Sequence, residues 1–289
     1  MITPKAGIGR QEREGTMTRT IAEKRAAFRA LHEQGCFILP NPWDVGSARM
    51  MQHQGFKALA TTSSGYAWSQ GRPDYGVERD DVLAHLHALV PATDLPVNAD
   101  YESGFAHEVG DLAANVRLVV EAGVAGLSIE DIRADGRPGF YDIATAVERM
   151  HAARAAIDQA DPAALLVART EILLRDPSRV GEAIDRLVAL ADAGADCLFA
   201  PGMVETADIA ALVRAVAPKP VNLLVIRPSL TLAEIADLGV RRVSIGGGLA
   251  RAAWAAVMRV GEGLRAGSFE ALAGGAAYTQ LNDIFDGFA

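Results

Sequence analysis

Cysteine is scarce in this chain. Cys36 and Cys197 are the only two, too few for a disulfide framework or a Cys-based zinc centre. Both sit in apolar, strand-like runs, Cys36-Phe37-Ile38-Leu39 and Cys197-Leu198-Phe199. They read as core residues of a cytoplasmic protein rather than as nucleophiles. Lysine is limited to Lys5, Lys24, Lys57 and Lys219. Histidine forms no ligand cluster: His85 and His87, two apart on a helix, face different directions, and His107 reads as solvated. No apolar run approaches the length of a membrane span. The segment from Met1 to Thr18 is polar and lacks the apolar core of a signal peptide. No basic stripe appears and the net charge is −8, so nucleic acid is not an expected partner.

What is present is apolar and ordered. Half of the 289 residues are hydrophobic, ample for one large α/β domain or two small ones. Short apolar runs alternate with helical patterns. The runs are Phe37 to Pro40, Ala58 to Thr62, Pro96 to Asp100, Gly126 to Glu130, Leu165 to Arg169, Cys197 to Ala200, Val221 to Val225 and Arg242 to Ile245. Runs apolar on both faces belong to parallel sheets covered on both sides. Eight of them alternating with helices predict a (β/α)8 barrel better than two open sheets. The phrase Glu-Ala-Gly-Val-Ala-Gly-Leu-Ser-Ile (121–129) recurs as Ala-Asp-Ala-Gly-Ala-Asp-Cys-Leu-Phe (191–199), the same helix end, glycine turn and strand used twice. The expected organisation is a flexible lead-in over 1–18 and one barrel domain with a helical tail over 19–289. Gly246-Gly247-Gly248 reads either as a phosphate site, since barrels often bind phosphate near strands seven and eight, or as a tight turn into the last long helix.

In such a barrel the chemistry gathers where strands end. Asn98 and Asp100 are two apart on one strand and so point the same way. Two oxygen-bearing side chains there suit a hard cation such as Mg²⁺, though acids in such loops also cap helices. Glu130 and Asp131 follow the fourth run; being adjacent, only one can face the mouth, and alternation does not say which. Asn41, Asp44, Ser64, Gly65, Arg169, Glu171, Asn222 and Arg227 complete the set. Lys57 and Lys219 precede strands, at the opposite end, so no lysine is available for a Schiff base. Carboxylates, amides and arginine remain, which suits Mg²⁺ and an anionic substrate.

From Asn41 to about Leu249 the chain resembles the isocitrate lyase and phosphoenolpyruvate mutase superfamily. The resemblance is carried by Val45-Gly46-Ser47-Ala48-Arg49 with Gly55-Phe56-Lys57, and then by Ser63-Ser64-Gly65-Tyr66 and Arg72-Pro73-Asp74. It continues through Val97-Asn98-Ala99-Asp100, Gly126-Leu127-Ser128-Ile129-Glu130-Asp131, Ala168-Arg169-Thr170-Glu171 and Asn222. The resemblance implies a Mg²⁺ ion, with Mn²⁺ as the alternative, at Asp100 and Glu130, with Asn98 in the shell and Asp74 nearby. It implies that backbone N–H groups at Ser64, Gly65 and Tyr66 grip a substrate carboxylate and oxo group. Arg169 matches a substrate-facing arginine and Asn222 a polar residue beside it; Arg169 and Asp74 are the expected catalytic pair. A C-terminal helix exchanged between subunits, and so a homodimer or homotetramer, is implied too.

Two departures stand out. Asn98 replaces an aspartate that commonly ligates the metal, and one negative charge is lost. The gating segment is Ile132-Arg133-Ala134-Asp135-Gly136-Arg137-Pro138-Gly139, with neither the Cys-Gly-His run of the lyases nor the Lys-Thr-Asn-Ser run of the phosphonate mutases. The expected activity is therefore Mg²⁺-dependent C–C cleavage of a small 2-oxo or 2-hydroxy carboxylate through an enolate, as in oxaloacetate decarboxylation. The alternatives are P–C bond mutase or hydrolase chemistry on a phosphonate, in which Arg133 and Arg137 meet the phosphonyl group, and a non-catalytic metabolite-binding barrel.

Overall fold

A computed structural model describes residues 19–227 and 230–288; the expected lead-in over 1–18 lies outside them, as does Lys5. Eight parallel strands form a nearly closed barrel: β1 (Phe37–Leu39), β2 (Leu59–Ala60), β3 (Val97–Asp100), β4 (Gly126–Glu130), β5 (Leu165–Arg169), β6 (Cys197–Phe199), β7 (Val221–Leu224) and β8 (Arg242–Ser244). Their order is β1-β8-β7-β6-β5-β4-β3-β2. At the seam the Ala60 N–H donates to the Pro40 carbonyl at 3.1 Å. The Asn41 side chain ties the same corner, donating to the Thr61 carbonyl and accepting from the Ile245 N–H, both at 2.9 Å.

The helices are α1 (Ile21–Glu33), α2 (Val45–His53), α3 (Ser63–Ser69), α4 (Arg79–Leu89), α5 (Val109–Glu121), α6 (Ile143–Ala160), α7 (Ile172–Arg175), α8 (Val180–Asp192), α9 (Thr206–Val216), α10 (Leu232–Asp237), α11 (Gly248–Arg265) and α12 (Tyr278–Asp286). Helix α1 starts at a reciprocal Thr20–Glu23 cap, which satisfies two otherwise free N–H donors. Its Phe28 and Leu31 pack with Leu39, Ala58, Ala60, Ala125 and Leu165, so α1 plugs the end of the barrel where the strands begin. The main core lies between the strands and the helical ring: Leu112, Val116 and Val119 of α5 and Leu187 and Leu190 of α8 share it with Leu127, Leu166 and Leu198. The recurring sequence unit is the α5–β4 and α8–β6 connection, with Gly123 (φ +90°) and Gly194 (φ +107°) at the turns.

Three local features depart from a plain alternation of strand and covering helix. Ser63 to Ser69 is helical: the Thr62 hydroxyl caps the Gly65 N–H and Ala67 is fully buried. Asp44, counted among the strand-end residues, caps α2 reciprocally with Ser47. The short helix α7 was not expected at all; it follows β5 directly and buries Ile172 and Leu173.

Candidate active site

Alternation along β3 turns Asp100 into the barrel mouth, where loops from other strands meet it. The Ser63 N–H and hydroxyl both donate to Asp100 Oδ2, at 2.9 and 3.0 Å. The Asp100 N–H donates to the Thr61 hydroxyl at 2.8 Å, fixing the strand end. Arg169, at the exit of β5, bridges the acids: one terminal nitrogen lies 3.0 Å from Asp100 Oδ1 and 2.9 Å from Glu130 Oε1. Its Nε donates to Glu171, and the guanidinium stacks over the Phe199 ring at 5.3 Å.

Glu130 and Asp131 part company. Glu130 turns inward to Arg169, and its Oε2 accepts from the Tyr75 hydroxyl at 3.0 Å. Asp131 turns outward to the helices. It accepts from the Thr170 hydroxyl (2.6 Å) and the Glu171 N–H (3.0 Å) and pairs with Arg186 of α8 at 3.5 Å.

The cluster carries more acid than base. Asp74, Asp100, Glu102, Glu130 and Glu171 surround one guanidinium. Burial raises the Glu130 carboxyl well above its ordinary range; Arg169 opposes this, while Glu171, Asp100 and Glu102 add to it. Burial, then Asp100 and Asp74, push Glu102 up to about 8. Asp74 is raised by burial and then by Asp100. Burial alone would lower Arg169, but Glu130, Glu171 and Asp100 outweigh it and hold the guanidinium charged. The buried Glu102 Oε1 and Glu130 Oε1 have no hydrogen-bond partner; for Glu130 the Arg169 contact is an ion pair without hydrogen-bond direction. Oxygen donors short of positive charge fit a hard divalent cation. Asp100 and Glu130 could hold one, with Asp74 beside them. Among the described residues no three His, Cys, Asp or Glu side chains converge on one point, since Arg169 lies between Asp100 and Glu130. Tyr75 (φ +59°) and Glu102 (φ +46°), both at this cluster, are left-handed non-glycine residues, a backbone strain that collects at functional sites.

A cavity of about 160 Å³ opens beside the cluster. Ser63, Ser64, Asp74, Asn98, Asp100 and Arg169 line it together with Asn41, Ser244, Arg242 and Gly247. Ser64, Asp74, Asn98, Asp100 and Arg169 are thus brought to one cavity. Gly65 and Tyr66 are not. The Gly65 N–H is held by Thr62 (3.2 Å), the Tyr66 N–H by the Thr62 carbonyl (3.0 Å), and the Tyr66 hydroxyl reaches the Asp81 carbonyl (3.1 Å). Helix formation consumes the donors that were expected to grip a substrate. Asn222 also departs: it contacts Ser244 and Arg242, at 2.9 and 2.8 Å, and not Arg169. Asn98 turns its oxygen to Arg242 (3.4 Å) rather than toward Asp100.

Sequence reasoning missed Ser63, Tyr75, Glu102, Arg242 and Ser244. For the last two a signal existed, because Arg242 and Ser244 flank Val243 and alternation puts both on one face. Tyr75 and Glu102 gave none, since their loops are irregular. Arg133 and Arg137, expected as candidates for a phosphonyl group, both pair with Asp135. His107 stacks on Tyr141 and shares a 2.9 Å hydrogen bond with it. Lys24 and Lys219 are spent on backbone carbonyls.

Residues 28–265 match the family model for phosphoenolpyruvate phosphomutase. A solved protein of Burkholderia cenocepacia J2315, described as a lyase/mutase, is 44% identical with a TM-score of 0.88, over 92% of this chain and 97% of that one. The 2-methylisocitrate lyase of Escherichia coli (strain K12) is 32% identical over 188 residues, 63% of each chain. Oxaloacetate acetylhydrolase bound to its product oxalate is 26% identical with a TM-score of 0.81, over 91% and 94% of the two chains.

Proposed function

The chain belongs to the phosphoenolpyruvate phosphomutase family, and from that premise we propose that it is a Mg²⁺-dependent lyase. Its substrate is a small 2-oxo or 2-hydroxy carboxylate cleaved at a C–C bond, in the manner of oxaloacetate decarboxylation. The observation that carries this reading is Arg169 held between Asp100 and Glu130 beside a small polar cavity. Asp100 and Glu130 would hold a divalent cation, which would supply Lewis-acid polarisation of a 2-oxo group when bound. Arg169 offers its other terminal nitrogen to the substrate carboxylate as a charge-assisted donor. Ser64 contributes a hydroxyl to the same cavity. Asp74, whose carboxyl burial and then Asp100 raise above its ordinary range, lines the cavity and is the candidate acid/base. Phe199 excludes water from one face of the guanidinium.

P–C bond chemistry on a phosphonate is the second reading, and the description of the matching family favours it. The pairing of Arg133 and Arg137 with Asp135 speaks against their binding a phosphonyl group. A non-catalytic binding barrel accords poorly with strained residues and undercompensated acids at one cavity. The deciding experiment is turnover of oxaloacetate, 2-methylisocitrate and phosphonopyruvate, with and without EDTA. Metal-dependent formation of a C–C cleavage product, abolished by Asp100→Ala, is the expected result. Turnover of phosphonopyruvate alone selects the second reading, and binding without turnover the third.

The assembly we propose is a homodimer or homotetramer, through a face carrying Trp254, Val257 and Met258 of α11 with Phe269, Leu272 and Tyr278, all exposed in the single chain. Exposed apolar surface of this extent is costly in water. Within one chain α12 returns to α2, with Arg49 over Phe288 at 5.4 Å; exchange of this tail between subunits is part of the proposal. Light scattering giving the 30.5 kDa monomer at micromolar concentration would refute it. No helix among the described residues is long and apolar enough to cross a membrane, and the proposed location is the cytoplasm.

A further inference from the structure

A second charge lies deeper in the barrel, and no acid answers it. Arg242 opens β8, points into the barrel and is 2% exposed. Its Nε donates to Asn222 Oδ1 at 2.8 Å, and one terminal nitrogen reaches Asn98 Oδ1 at 3.4 Å. Both partners are neutral amides. Both are themselves fixed, Asn222 by donating to the Ser244 hydroxyl (2.9 Å) and Asn98 by donating to the Ala99 carbonyl (3.1 Å). The oxygens of the two amides are thereby left for the guanidinium. No carboxylate among the described residues pairs with it, unlike Arg169, which meets three. Its charge is felt through the floor: His32 of α1 is pushed down to about 3 by burial first and by Arg242 second.

An unpaired buried charge is strongly disfavoured unless something neutralises it. Arg242 lines the same cavity as Asp100 and Arg169, so the missing anion can come from whatever fills that cavity. We propose that Arg242 is an anion seat at the cavity floor, one that takes a second acidic group of the substrate. The ligand class is then a small diacid or a phosphono acid, with one end at Arg169 and the other at Arg242. This rests on the reading of the cavity as a site for small acids. Asn98 is a positioning residue here: it orients the guanidinium without neutralising it. An aspartate in its place would act as an internal counter-ion.

Calorimetry on the folded chain without metal tests this, using succinate, 3-phosphonopropionate and butyrate as probes. The variants are Arg242→Met and the near-isosteric Asn98→Asp, each with a thermal melt. Wild type is expected to bind succinate or 3-phosphonopropionate at least roughly 10-fold more tightly than butyrate. Both variants are expected to lose roughly 10- to 100-fold for the doubly acidic probe, the scale of one charge-assisted contact, and little for butyrate. Asn98→Asp should also raise Tm, because the charge is then paired within the chain. Whichever of succinate and 3-phosphonopropionate binds better identifies the second acidic group. Equal binding of all three probes by wild type, or unchanged diacid binding in a folded variant, overturns the seat. If Arg242→Met does not fold, Asn98→Asp decides alone. Absent turnover with Arg242-dependent diacid binding sinks the lyase reading and keeps the seat; turnover with intact diacid binding in the variants does the reverse.

Discussion

Arg169 makes three carboxylate contacts with one planar group. A lysine ammonium is a point charge on a flexible stem and cannot span Asp100, Glu130 and Glu171 together. Arg169→Lys is therefore expected to lower kcat and kcat/KM together by roughly 10²-fold or more, by analogy with oxyanion-hole donors. Near-normal turnover with a lowered Tm would reduce Arg169 to a structural tie. Glu102 makes a separate prediction. Burial raises its folded pKa from an ordinary 4.5 to about 8, so between those values the folded state holds a proton that the unfolded state has lost. Its contribution to stability therefore falls as pH rises from 4.5 to about 8, by up to about 1.4 kcal/mol per pH unit. In EDTA, Glu102→Gln should stabilise more at pH 8 than at pH 5 in urea melts. Equal effects at both pH values would mean the carboxyl is ordinary. Asp100 and Arg169 were legible in sequence because each ends a regular strand. Glu102 and Tyr75 were not, because left-handed loop residues follow no period.

Helix α3 shows how packing overrides a local signal. Gly65 stands inside this helix, and glycine inside a helix costs about 1 kcal/mol relative to alanine. Gly65 stands there because a Cβ would lie 2.6 Å from Thr62 Cγ2, 3.2 Å from Trp43 and 3.3 Å from Ala250 of α11. Its role is close approach of α3 to α11, not presentation of a free N–H. The turn before α11 has the same logic. A Cβ on Gly247 would lie 2.9 Å from Ser64 Oγ and 3.0 Å from the Trp68 ring. Gly247→Ala is expected to cost about 1–3 kcal/mol by overpacking. Because Ser64 lines the cavity, KM for the substrate should rise as well. A variant unchanged in both urea midpoint and KM would show that the α3–α11 contact yields freely.

At the scale of the whole molecule the barrel has one open end and one plugged end, and a buried histidine sits in the plug. His32 packs against Phe28 and Phe37 beneath the strands, with its Nε2 buried and unpartnered. Burial, reinforced by Arg242, pushes it down from 6.5 to about 3. As pH falls below 6.5 the unfolded chain takes up a proton there and the folded chain does not. The His32 contribution to stability is thus intact above 6.5 and lost toward 3, at up to about 1.4 kcal/mol per pH unit. Unfolding free energies of wild type and His32→Leu should diverge in favour of the leucine variant between pH 6.5 and 4.5. Parallel curves would mean that the plug opens to water before the imidazole titrates.

The sequence by itself determined the repeating plan of this protein. Strands buried on both faces must be short apolar runs, and helices that cover them must be amphipathic, so both are written locally. It also determined which residues stand at strand exits, Asp100 and Arg169 among them, because side-chain alternation within one strand is a local rule. Tertiary structure alone decided which of those residues meet. Closing eight strands staggers each against its neighbours, and the inward layers draw side chains from different strands at heights set by that stagger. That is why Asn98, Asn222 and Arg242, from β3, β7 and β8, meet in one hydrogen-bonded group, while Glu130 turns in to Arg169 and Asp131 turns out to Arg186. Asp74 reaches Asp100 only because a loop some two dozen residues earlier in the chain folds over the same mouth. No local pattern encodes such distances, since they depend on how the whole barrel closes.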